Sequence, residues 1–190
     1  KMTIGKLDKI EKIQLIIDTL SGSLLENASG QEVVKDSTIN SYRITLDPDD
    51  DNHQTAFYDE KMAFARINKD IFTKYPDLMK KLDSVIGSSN SDEEKVKILL
   101  SFTDDIVEDN LGILSPNIDY VLKHRKGDCS EHSLMFMALA KYENIPCRIV
   151  SGLVYLGDWG KGFGPHQWNE VIIDNKWVPV DPTTRSMPIG

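Results

Sequence analysis

Apolar positions along this chain change their spacing partway through, and the change divides it into two regions. Leu7, Ile10, Ile13, Ile17 and Leu20 share one helical face, yet the β-branched Ile16 and Ile17 suit a strand as well, so this stretch stays open between the two. Thr38 to Leu46, TINSYRITL, alternates like a strand and runs into the turn residues DPDDDN. From Pro76 the period becomes helical. Pro76 opens an amphipathic helix carrying Leu78, Leu82 and Ile86, stopped by Gly87. Ser91 and Glu94 have capping-box spacing ahead of a stripe of Val96, Leu99, Leu100, Thr103, Ile106 and Val107. A shorter helix is predicted to start near Ser115-Pro116 and stop at Gly127. The run LMFMALAKYEN after Cys129 is apolar nearly all round and predicts a buried central helix to about Asn144. Strands are predicted over Cys147 to Tyr155, His166 to Asp174 and Trp177 to Asp181, with Asp174-Asn175 as a tight turn.

Helices followed by an antiparallel meander predict an α+β domain with one buried helix packed on the sheet. The expected organisation is an irregular, β-rich N-terminal region over 1–75, which can be part of a trimmed upstream domain, and a core domain over 76–190.

Composition narrows the partners. The 190 residues are 40% hydrophobic and 27% charged, enough to bury a core without staples. A formal net charge of -8, with no basic stripe, argues against nucleic acid or an anionic membrane surface as partner. No apolar run approaches the roughly 20 residues a bilayer span needs, so no membrane insertion is expected of this chain. The sequence opens Lys1-Met2 and reads as trimmed at both ends, which leaves an export leader open. Its two cysteines, Cys129 and Cys147, are fewer than a disulfide scaffold carries. Asp47, Asp49 and Asp51 have the opening spacing of a calcium loop, but Asn52 and Tyr58 stand where that loop needs Gly and Glu. The segment reads as a solvated acidic turn, and neither metal nor cofactor is expected.

Against this background one octapeptide, KGDCSEHS at residues 126–133, carries chemistry. A cysteine in the first turn of a helix faces the positive end of the macrodipole, which favours a thiolate, and its own N–H can point at a developing oxyanion. Asp128 can cap this helix, although its charge opposes thiolate formation. Acyl chemistry also needs a proton donor, hence a histidine oriented by a carboxylate. Of His53, His124, His132 and His166, register selects the last. If Asp174-Asn175 is a two-residue hairpin loop, Ile173 opposes Lys176, Asp181 falls opposite Trp168, and His166 lies one diagonal step from Asp181 on the same face. The central helix is expected to pack on that face and present Cys129 to the pair. Cys129, with His166 and Asp181, is therefore the candidate nucleophile with its acid/base and orienter.

GDCSEHSLMFMALAKYENIPCRIVSGLVY, HQWNEV and WVPVDPT, in this order, resemble the transglutaminase-like superfamily. The resemblance runs from about Glu93 to Thr183 and implies a papain-like core whose catalytic triad maps onto Cys129, His166 and Asp181. It implies thiol-dependent acyl transfer at an amide or peptide bond through a thioester, with a protein or peptide as substrate. Hydrolysis, as by a cysteine protease or amidase, is favoured over cross-linking, and a fold-only binding module is the alternative. Bacterial members with such a core are frequently exported, which points to an extracytoplasmic location. The family takes a second oxyanion donor from upstream of the cysteine, for which Tyr120 and Asn117 are candidates. The glycine-rich loop Leu156 to Pro165 reads as a flap offering Trp159 and Phe163 to a substrate, beside Trp168. Trp168 and Trp177 also suit core and cleft-wall positions. His132 could suggest a Cys-x-x-His metal half-site, but a hydrogen-bonded core role accounts for it better, and Cys147 reads as a small buried hydrophobe.

Overall fold

The computed structural model describes residues 13–18, 31–35, 41–46, 67–88, 91–111, 117–155 and 162–189. The chain divides into two units, one over residues 1–54 and one over 55–189.

In the first unit, strands β1 (Ile13–Asp18), β2 (Gln31–Lys35) and β3 (Ser41–Leu46) form an antiparallel sheet with β3 in the centre. Ile13 pairs with Leu46 in β3, and Gln31 pairs with Leu46 from the other side. Within the stretch left open between helix and strand, Ile13–Asp18 is a strand, as its β-branching allows, and β2 is an element the periodicity does not predict. The acidic turn 47–58 lies outside the described residues.

In the second unit a 3-10 turn, Lys69–Lys74, places Phe72 in the core, where Ile67 also lies. Helix α1 (Pro76–Ile86) starts on a proline, which lacks the N–H that a first helical residue could not use. It ends at Gly87, whose φ of +54° needs glycine. Helix α2 (Asp92–Ile106) is capped by Ser91, whose hydroxyl accepts the Glu94 N–H at 3.2 Å. Acidic Asp92, Glu93 and Glu94 suit the positive end of its dipole. Helix α3 (Ile118–His124) starts later than Ser115-Pro116, because Asn117 is its cap and accepts the Tyr120 N–H at 2.9 Å.

Two short strands that periodicity did not reveal, β4 (Glu108–Asp109) and β5 (Lys126–Gly127), pair in parallel. The Asn110 N–H donates to the Gly127 carbonyl at 2.8 Å, so the chain just before Cys129 is tied to the segment that follows α2.

Helix α4 (Cys129–Tyr142) is the buried centre of the unit. Met135, Phe136, Ala138, Leu139 and Ala140 are all fully buried, which is why its sequence shows no polar face. It stops where Asn144 turns left-handed at φ 62° and Ile145 N–H reaches back to the Ala140 carbonyl at 2.8 Å.

The second sheet contains β6 (Cys147–Tyr155), β7 (Phe163–Ile173) and β8 (Lys176–Val180), antiparallel in that order. Asp174 and Asn175 both have positive φ, 50° and 62°, the mark of a type I′ turn whose twist matches the flanking strands. Ile173 therefore opposes Lys176, as the two-residue loop requires.

Strand alternation divides the side chains of this sheet. Cys147, Asn169, Val171 and Val180 share one face and are fully buried. Asn169 Nδ2 donates to the Ser133 carbonyl of α4 at 3.1 Å, so the helix body covers this face. Trp168, Glu170 and His166 alternate to the other face. The expectation that α4 lies on the face of His166 is thus corrected. The apolar side chains of β7 that the helix buries are at odd positions, and His166 is at an even one.

Candidate active site

Asp181 follows β8 directly and is 5% exposed. His166 Nε2 donates to Asp181 Oδ2 at 2.8 Å. The second carboxylate oxygen, Oδ1, accepts the Thr183 N–H at 2.9 Å and the Thr183 hydroxyl at 2.5 Å. Burial pushes the Asp181 carboxyl up, but the bonds from His166 and Thr183 outweigh it and hold the group below the usual carboxylate range. The loop that carries it is closed on itself: Asp181 N–H donates to the Ser186 carbonyl at 3.0 Å and Ser186 N–H returns to Asp181 at 3.1 Å. Arg185 extends from the loop to Asp104 and Asp105 on α2.

With Nε2 committed to Asp181, the histidine keeps Nδ1 for other partners. Trp168 stacks beside it, ring centroids 6.2 Å apart at 23°. The indole can lie there because Gly152, opposite His166 and diagonal to Trp168, has no side chain; a Cβ at that position would sit 2.6 Å from the ring.

Cys129 is the first residue of α4 and is half-buried. Asp128 caps the helix, its carboxylate accepting the Ser130 N–H at 2.8 Å. Glu131 completes a capping box, its Oε2 accepting the Asp128 N–H at 2.8 Å. The spacing Asp128-x-x-Glu131 carries that signal in the sequence, beside the cap predicted at Asp128. His132, fully buried, donates from Nδ1 to the Asp128 carbonyl at 2.8 Å. That bond serves the hydrogen-bonded role expected for it.

The structure therefore joins His166 to Asp181, with Trp168 alongside. Among the described residues no hydrogen bond joins Cys129 Sγ to His166. Phe163 is the first residue of β7, opposite Tyr155, so the expected flap ends before it, while Trp159 lies outside the described residues. Asn117 spends its side-chain oxygen on the cap of α3, and the Tyr120 ring packs against His124 at 4.5 Å. Cys147 is fully buried beside Asn169 Nδ2 at 3.5 Å, and burial pushes its thiol far up. No group of three or more His, Cys, Asp and Glu side chains able to hold a metal occurs among the described residues, nor any helix long and apolar enough to cross a membrane.

An antiparallel sheet packed on a buried central helix that begins at a cysteine defines a papain-like α+β scaffold. The family model of the transglutaminase-like superfamily matches residues 80–182, more than half of the chain, and the protein belongs to that superfamily. The periplasmic domain of TgpA from Pseudomonas aeruginosa, bound to ethylmercury, has a similar fold. It is 18% identical with a TM-score of 0.51, over 76% of this chain and 56% of that one. A second TgpA structure gives 19% and 0.47 over 76% and 54%. A candidate cysteine protease from Cytophaga hutchinsonii gives 16% and 0.47 over 92% of this chain and 65% of its own. The chain thus spans little more than half the length of the TgpA structures. Comparison with curated protein sequences gives no match.

Proposed function

We propose that the protein transfers acyl groups from an amide or peptide bond through Cys129, with His166 as general acid/base and Asp181 as its orienter. The observation that carries this reading is the 2.8 Å bond between His166 Nε2 and a nearly buried Asp181. A carboxylate held in that way fixes the imidazole tautomer and stabilises its cation, and Nδ1 is left for the proton in transit. The Cys129 thiol gives its proton to His166 and its sulfur bonds to the substrate carbonyl carbon, while the Cys129 N–H donates to the oxyanion. The C–N bond breaks, His166 gives its proton to the departing amine, and a thioester remains. Water or an amine then attacks the thioester, His166 takes the proton, and the C–S bond breaks.

Hydrolysis of a protein or peptide is favoured over cross-linking, on the resemblance of the GDC-x-EH core to bacterial-type members. Trp168 beside His166 and the aromatic Trp159 and Phe163 are the proposed substrate contacts. The likeness to a periplasmic domain supports an extracytoplasmic location. A fold-only module is the second reading, favoured by the lack of a hydrogen bond between Cys129 and His166.

Incubation with p-nitrophenyl acetate, read by intact mass and peptide mapping, separates the two. One acetyl group on Cys129, lost in His166→Ala, is the expected result. No acetylation of Cys129, or acetylation indifferent to His166, sinks the enzyme reading. Hydroxylamine added to the acylated protein then decides the acceptor: hydroxamate in strong excess over acetate marks a transferase, the reverse a hydrolase.

A further inference from the structure

Three residues after the candidate nucleophile each hold a different group of the residue before it. Ser130 N–H donates to the Asp128 carboxylate at 2.8 Å, Glu131 Oε2 accepts the Asp128 N–H at 2.8 Å, and His132 Nδ1 donates to the Asp128 carbonyl at 2.8 Å. The carbonyl at one end of this residue belongs to the peptide that joins it to Cys129. The N–H at the other end belongs to the peptide from Gly127. Both peptides flanking Asp128 are thus held by side chains from one helical turn above.

Ordinary helix capping does not ask for this. A capping-box glutamate normally sits at the surface with its free oxygen in water, whereas Glu131 and His132 are 0% and 1% exposed. Glu131 Oε1 and His132 Nε2 make no hydrogen bond among the described residues. Burying such groups costs stability unless something is gained, so two in succession need a reason beyond stability. Room for the carboxyl is made by Gly127: a Cβ there would lie 2.1 Å from Glu131 Cβ and 2.3 Å from Oε2. Gly127 is itself fastened, through Asn110, to the segment that follows β4. Burial pushes the Glu131 carboxyl above its ordinary value.

Resting on the thiol-enzyme reading above, we propose that Glu131 and His132 are positioning residues for Cys129. They fix the Asp128 peptides so that the Cys129 N–H and Sγ are held in one orientation before substrate binds. The Asp128 carboxylate occupies the next N–H of the turn, which leaves the Cys129 N–H for the oxyanion.

The test compares Glu131→Leu and His132→Leu, which fill the space but break the bonds, with Glu131→Gln and His132→Asn, which keep an acceptor and a donor. The readout is the rate of Cys129 acetylation by p-nitrophenyl acetate per folded molecule, with the folded fraction measured by thermal melts. The Leu variants are expected to lose about a hundredfold in rate, the cost of a misplacement near 1 Å, with little change in the concentration for half-saturation. Glu131→Gln is expected to recover most of that loss. Leu variants acetylated at the wild-type rate per folded molecule overturn the positioning role, as does a Gln variant as slow as Leu. Should Glu131→Leu not fold, His132→Leu and the Gln variant decide alone. Failure of the wild-type protein to acetylate on Cys129 removes the thiol-enzyme reading, and this inference with it.

Discussion

The two halves of the candidate site are built in opposite ways. Around Cys129 the side-chain bonds are local: Asp128, Ser130, Glu131 and His132 hold one another within a helical turn, packed on Gly127. The His166–Asp181 pair spans fifteen residues and exists only because a hairpin sets its register. A local clamp depends on side-chain chemistry and should answer to single substitutions. A register-dependent pair depends on strand geometry and should answer to whatever shifts the hairpin. Physical chemistry thus assigns different weak points to the two halves.

The largest expected effect falls on the sheet half. Asp181→Asn leaves the shape but removes the carboxylate, and should lower the acylation rate on the order of a thousandfold, within the range general acid–base partners contribute. Stopped-flow release of p-nitrophenol measures it, and a loss below tenfold would break the assigned role. Insertion of one glycine between Asp174 and Asn175 should be comparably damaging, because a slipped β8 turns Asp181 away from His166. An unchanged rate there would show that the pair does not depend on register.

Next comes the helix half. Gly127→Ala drives a methyl into the root of the Glu131 side chain, where no flexible end can yield. It should cost about 3 kcal/mol in urea unfolding, at the upper end of ordinary overpacking. In the core beneath, Phe136→Ala should cost about 4 kcal/mol by leaving a cavity.

Smaller still is the pH dependence. The folded-state pKa of Asp181 is depressed, so the stability it contributes is present above the unfolded carboxylate value, about 3.9, and is lost as pH falls through the lower folded value. Thermal melts between pH 6 and 3, as a working range of about three units, should show a decline that Asp181→Asn flattens. Smallest is Arg185→Ala. Arg185 is itself exposed, with Asp105 exposed and Asp104 partly so, and surface ion pairs contribute little, so the melting temperature should stay where it is even though the loop of Asp181 loses a tether.

Much of this architecture was legible in the chain. Pro76, Gly87 and Ser91 punctuate helices because their backbone chemistry acts within a few residues, and Asp174-Asn175 sets a register for the same reason. The Cys147–Tyr155 strand is found with its predicted ends. What stayed hidden is what distant partners decide. The two-residue strands β4 and β5 have no periodicity to read, and β2 is too short for its alternation to stand out. The face on which α4 packs was misjudged because alternation along β7 says which residues share a side, not which side a helix will choose. The burial of Glu131 and His132 ran against the solvent preference of their side chains and appeared only once the packing was known.

The order of the parts along the chain has a consequence for synthesis. A ribosome releases Cys129 and its clamp first, so the local half can assemble while the hairpin is still unmade. On the proposed reading, the nascent thiol emerges with its geometry set but without its proton donor. It stays chemically quiet until β8 closes on β7, and the last strand of the sheet arms the protein after the rest has folded.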